Sequence, residues 1–93
     1  MDWEDLLAEA LGNRVRIRIL KYLFQKEGAN LSRISRDLGI SYASAKNNLS
    51  VLVSVGVVDE VEIGRVKIYR LSDNPATRKI LRCVIGLPDG FLT

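Results

Sequence analysis

The chain has 93 residues, with 14 Lys or Arg against 11 Asp or Glu, a net charge of +3, and 47% hydrophobic residues. A length like this makes one small domain whose core sits near the lower limit for independent stability, so burial against a partner is expected. There is no histidine, and Cys83 is the only cysteine, which removes the commonest general base, the commonest metal ligand and any internal disulfide. Neither catalysis, a metal nor a cofactor is expected. The glycines are scattered as helix and turn stops rather than gathered in a phosphate loop. No apolar run approaches the ~20 residues that cross a bilayer, and the start Met1-Asp2-Trp3-Glu4-Asp5 lacks the pattern of a secretory signal. A cytoplasmic protein with no membrane contact is expected.

Asp2 can cap a first helix over Trp3 to Leu11, in which Trp3, Leu6, Leu7, Ala10 and Leu11 share a face and the acids lie opposite. Gly12 ends it. Val15 to Ile19 then alternates with period two, as a strand would, before Ile19 to Phe24 returns to helical spacing. Asn13 as cap and Gly28 as stop favour a helix over Asn13 to Lys26, with strand the alternative for its first turn and a half. A third helix spans Ser32 to Leu38, capped by Asn30 or Ser32, with Ile34 and Leu38 facing the core. Gly39 suits the left-handed position after it. Ser41 caps a fourth helix, Tyr42 to Val55, whose Ala45, Leu49 and Leu52 share a face that must be buried. Val57 to Ile63 and Val66 to Leu71 make a hairpin around Gly64-Arg65. Ser72, Asp73 or Asn74 can cap a last helix, with Pro75 in its first turn, an apolar stripe of Ile80, Leu81, Val84 and Ile85, and Gly86 and Pro88 as its end.

Helix, glycine turn, helix and hairpin over residues 31–71 is the order of a winged helix-turn-helix. The expected fold is mainly α with a small β-hairpin wing, in a single domain over 1–93. The helices in 1–12 and 73–87 are additions suited to dimerisation. Such a layout holds one helix where it can enter a DNA groove. Charge agrees with it. Asp2, Glu4, Asp5 and Glu9 crowd the start, whereas Arg14, Arg16, Arg18, Lys21, Lys26, Arg33, Arg36 and Lys46 are opposed only by Glu27 and Asp37 between Asn13 and Val58. A basic block beside an acidic terminus suggests an oriented polyanion-binding face.

The residues Leu11-Gly12-Asn13-Arg14-Val15-Arg16-Ile17-Arg18-Ile19-Leu20 resemble the opening motif of the ArsR-type winged-helix repressors. Leu38-Gly39-Ile40-Ser41, then Ala45, Leu49, Leu52 and Gly56-Val57-Val58, resemble their recognition-helix motif. Gly64-Arg65 followed by Ile68-Tyr69-Arg70-Leu71 resembles their wing. The resemblance covers Leu11 to Leu71 and implies a homodimer, built from the first and last helices, that binds a partly palindromic operator. It does not extend to the metal-sensing branch, because the third helix carries Arg33, Ser35 and Arg36 and the chain has no histidine.

The expected DNA-binding residues are Ser41, Tyr42, Ala43, Ser44, Lys46, Asn47 and Ser50 on the fourth helix, Arg33 and Arg36 on the third as phosphate anchors, and Arg65 and Lys67 on the wing. Asn47 is the best base reader, since an amide can make two hydrogen bonds to an adenine edge. Taken alone, these would be ordinary solvent-facing side chains; the helix-turn-helix frame is what singles them out. Asp59, Glu60 and Glu62 argue against a wholly basic wing and can pair with Lys67 and Arg70. The expected dimer seam comprises Trp3, Leu6, Leu7, Ala10, Ile80, Leu81, Val84 and Ile85, because a four-helix core leaves little room for further apolar stripes. Cys83 is expected to be a small buried hydrophobe. The leading expectation is a dimeric, sequence-specific double-stranded DNA-binding regulator. The alternative is a winged-helix protein-protein interaction module of a transcription or chromatin assembly.

Overall fold

The computed structural model describes residues 3–85, in the order α1 (Trp3–Leu11), α2 (Arg14–Gln25), β1 (Ala29–Asn30), α3 (Leu31–Leu38), α4 (Tyr42–Ser54), β2 (Val58–Ile63), β3 (Val66–Leu71) and α5 (Pro75–Ile85). The expected cap Asp2 and the expected stops Gly86 and Pro88 lie outside the described residues. So do the side chains of Trp3, Leu6, Leu7 and Ile85.

The ambiguous second segment is helical throughout. Asn13 Oδ1 accepts from the Val15 amide at 2.7 Å, satisfying one of the donors a helix start leaves unpaired. Its period-two look has a packing cause. Helix α2 is flanked by α1, α4 and α5, so Ile17, Ile19, Leu20 and Leu23 are all buried although they do not form one narrow stripe.

Asn30, rather than Ser32, caps α3, accepting from the Arg33 amide at 2.8 Å. Gly39 follows at φ +66°, with its own amide bonded to the Arg36 carbonyl and that of Ile40 to the Ser35 carbonyl. This closes the helix end as a Schellman turn, which needs a left-handed residue. Ser41 then caps α4 by accepting from the Ser44 amide at 3.0 Å. Asn74 caps α5 through the Thr77 amide, and its Nδ2 donates to the Gly56 carbonyl, pinning the start of α5 to the end of α4.

The hairpin pairs Val58 with Leu71 through to Ile63 with Val66, around the two-residue turn Gly64-Arg65. Gly64 sits at φ +64°, a value glycine reaches without a side-chain clash. Strand β1 was not expected from the sequence. Its two residues pair antiparallel with β3, Ala29 opposite Tyr69 and Asn30 opposite Ile68, giving the sheet order β1-β3-β2.

Ile19, Leu20, Ile34, Leu49, Leu52, Val57, Ile80 and Val84 lie at the centre of one core, all with under 2% exposure. That corrects part of the expected dimer seam. Ala10, Ile80 and Val84 keep no exposed surface, so they pack inside their own subunit and have none to offer a second copy. The physical reason is that α3 is only eight residues long and fully buries only Ile34, which leaves α2 room to pack against α5 as well. Leu81 stays half-buried. Cys83 is exposed, against the expectation of a buried thiol, because α5 turns Thr77, Ile80 and Val84 inward and Arg82 and Cys83 outward.

Candidate nucleic-acid interface

Helix α4 is clamped by its inner face and open on its outer one. Ala45, Leu49 and Leu52 have no exposure, whereas Ser41, Tyr42, Ala43, Lys46, Asn47 and Ser50 are exposed and Ser44 is half-buried. No side chain of the described residues covers that outer face, and α4 carries no acid. Its N-terminal half thus presents amide, hydroxyl, phenol and ammonium groups on a rod whose orientation is set by core packing.

Between the start of α4, the start of α3 and the wing lies an open groove of about 500 Å³, lined by Asn30, Ser32, Tyr42, Lys46, Arg65, Val66, Lys67 and Tyr69. The fold therefore brings together four of the expected residues, Tyr42, Lys46, Arg65 and Lys67. Lys67 Nζ also lies 3.3 Å from Glu60 Oε1, the expected wing pairing. Asp59 instead accepts from the buried Ser72 hydroxyl at 2.6 Å. Asn30, Ser32 and Tyr69 were not expected here. Strand β1, too short to show any alternation in the sequence, is what places Asn30 beside the wing. Burial pushes the Tyr69 phenol above its usual range, and the adjacent Glu60 carboxylate adds to the effect, so the groove wall is neutral at Tyr69.

Arg33 and Arg36 are exposed on α3 but do not line the groove. Both flank Asp37, with Nε atoms 3.6 and 3.9 Å from its carboxylate oxygens. At such exposure these pairs are weak and can open toward a phosphate.

Two arginines that the sequence left unassigned hold the helix-turn-helix in shape. Arg18 Nη2 donates to the Leu38 carbonyl at 2.6 Å, filling an acceptor at the end of α3 just before the Gly39 turn. Arg16 Nε donates to Asn48 Oδ1 at 3.0 Å, and its Nη1 donates to the Glu9 carbonyl at 2.6 Å. Asn48 is 8% exposed on the inner side of α4. Its polar side chain gave no apolar signal of burial, so the sequence reading missed it; only its helical spacing from Ala45 and Leu52 could have found it.

A helix-turn-helix domain family pattern matches residues 11–61. The chain is 31% identical over 74 residues to an uncharacterized HTH-type transcriptional regulator of Methanocaldococcus jannaschii, covering 80% of this chain and 19% of that protein. It thus spans about one fifth of the length of that relative. Among solved structures it is similar to a homodimeric winged helix-turn-helix DNA-binding domain of Mycobacterium bovis, a possible ArsR-family transcriptional regulator. The TM-score is 0.78 at 26% identity, over 90% of this chain and 77% of that one. The transcriptional repressor PagR of Bacillus anthracis has the same fold, with TM-score 0.74 at 17% identity over 88% and 92% of the two chains. Motif order, the clamped α4, the wing and these likenesses converge: the chain belongs to the helix-turn-helix domain family and has the winged form of that fold.

Proposed function

We propose that the protein is a dimeric, sequence-specific double-stranded DNA-binding transcription regulator of the repressor kind, acting in the cytoplasm where its DNA lies. The observation that carries the reading is the free, acid-free face of α4, fixed by buried Ala45, Leu49 and Leu52 beside a groove that carries Lys46, Arg65 and Lys67. Helix α4 lies in the major groove with Asn47 and Ser44 toward base edges, and α3 crosses the backbone. Tyr42, Lys46, Arg65 and Lys67 meet the phosphates that run through the groove, and Arg33 and Arg36 are further anchors. Phosphate contacts fix position, and base contacts supply the sequence preference.

The homodimeric state of the Mycobacterium bovis domain supports a two-fold assembly. Its seam lies on the outer sides of α1 and α5, with half-buried Leu81 as the described apolar contributor. Selection of bound duplexes from a random library tests the whole reading. The expected result is a two-fold symmetric site, bound with a log affinity that falls linearly with log salt. A flat salt response and no enriched site would instead favour the interaction module.

A further inference from the structure

We infer that Arg16 and Asn48 form a positioning relay that ties the end of α1 to the base-reading face of α4 and so sets its discrimination between DNA sequences. The inference rests on the regulator reading above. One guanidinium bridges two helices: Arg16 Nη1 donates to the Glu9 carbonyl at 2.6 Å and lies 3.8 Å from Glu9 Oε2, while Nε donates to Asn48 Oδ1 at 3.0 Å. Asn48 carries the link one turn back along α4. Its Nδ2 donates to the Ser44 carbonyl at 2.9 Å and lies 3.4 Å from Ser44 Oγ.

The chemistry of this chain is directional. Arg16 is donor-only, so it claims the amide oxygen of Asn48 and leaves the NH2 group facing Ser44. A Ser44 hydroxyl that accepts from Asn48 keeps its own proton to donate outward, toward a DNA acceptor. Asn48 itself is too buried to meet a base, so its amide acts on Ser44 and not on DNA. A planar fork with donors in two directions is what the bridge requires, and lysine lacks it. Because α1 is one of the helices assigned to the subunit seam, the relay also runs from the seam to the reading face.

The test replaces both partners by apolar side chains of similar length, R16M/N48L. The double replacement removes both partners of the part-buried bond, and the Glu9 carbonyl that Arg16 also served lies at an exposed site where water replaces it, so Tm is expected within about 5 °C of wild type. Affinity for random duplex and its salt slope are also expected to hold, since neither residue meets a phosphate. The ratio of selected-site to random-duplex affinity is expected to fall about tenfold or more, the worth of one well-placed base contact. An unchanged ratio in a folded double variant overturns the relay while leaving the regulator reading intact. If wild type itself shows no preferred duplex, the regulator reading fails and the relay with it. Should the double variant melt below the assay temperature, R16K carries the test. It keeps a charge and a long stem but loses the Nε donor, and the same fall or constancy of the ratio decides.

Discussion

The Tyr22 hydroxyl donates to Asp37 Oδ2 at 2.6 Å, joining α2 to the end of α3 at the carboxylate that Arg33 and Arg36 flank. One acid thus serves as a helix-to-helix tether and as a counterion to the two arginines proposed as phosphate anchors. Loss of the tether would free both the helix angle and the charge at once.

The Tyr22 bond, with the charges of Arg33, Arg36 and Lys26 behind it, holds the Asp37 carboxyl below its ordinary value of 3.8. Burial, then the same bond, raises the Tyr22 phenol above 10.0. The signs follow from linkage. A depressed carboxyl pKa gives stability that is present above 3.8 and lost as pH falls through the folded value. A raised phenol pKa gives stability that is present below 10.0 and lost as pH climbs through the folded value. The pair therefore contributes evenly across neutral pH. In Tyr22→Phe the Asp37 titration is expected to move up toward its ordinary value, read from the side-chain carboxyl carbon shift by NMR. A titration identical to wild type would contradict the coupling.

Lys46 and Asn47 are neighbours on the open face of α4 with different expected roles. Lys46→Ala should weaken binding about equally on every duplex and reduce the log–log salt slope by about 1. Asn47→Ala should cost roughly 1–3 kcal/mol on the selected site, leave random duplex nearly unaffected and keep the slope. Competition titrations at several salt concentrations separate the two. If Asn47→Ala lowered both affinities alike, Asn47 would not be a base reader.

The α4 face was legible in the sequence because two periodicities coincide there. Ala45, Leu49 and Leu52 mark the inner side by their apolar spacing, and the lack of any acid marks the outer side. The Gly39 turn and the Gly64-Arg65 hairpin were legible through glycine placement. What escaped was everything built from polar side chains across elements. Arg16, Arg18 and Asn48 look like surface residues in the sequence, and their partners lie 7 to 32 positions away. The groove escaped in part for a similar reason, since Asn30 and Tyr69 meet only through the β1–β3 pairing. Ile80 and Val84 of the α5 stripe were recognised as apolar and expected in a subunit seam, yet they are buried within the subunit, because periodicity shows that a face is buried but not which surface buries it.

Gly39 sits at φ +66° with no atom within 4 Å of where a Cβ would stand, so a side chain there meets backbone strain rather than a packing clash. Gly39→Ala is expected to cost roughly 1–2 kcal/mol of folding stability. Asn, which tolerates the left-handed region better, should cost less. Urea unfolding checks this: the midpoint should fall while the m-value stays constant. A substitution without cost would mean that the turn can close with Gly39 in another conformation.

Ile80 and Leu81 are adjacent on α5, one in the core and the other on the side proposed for the seam. Ile80 has no exposure in the single subunit, so Ile80→Ala leaves a cavity and is expected to cost about 2–5 kcal/mol. That is a large share of the roughly 5–15 kcal/mol available to a small domain, and the loss should be the same at every protein concentration. Leu81 is half-buried, so Leu81→Ala should cost the single subunit less and weaken the dimer instead. Its effect should grow on dilution, because stability gained from association depends on concentration. Sedimentation velocity with thermal melts at several concentrations distinguishes the two. If Ile80→Ala shifted only the monomer–dimer equilibrium and left the melting of the monomer untouched, Ile80 would belong to the seam and the packing of α5 against α2 would be wrong.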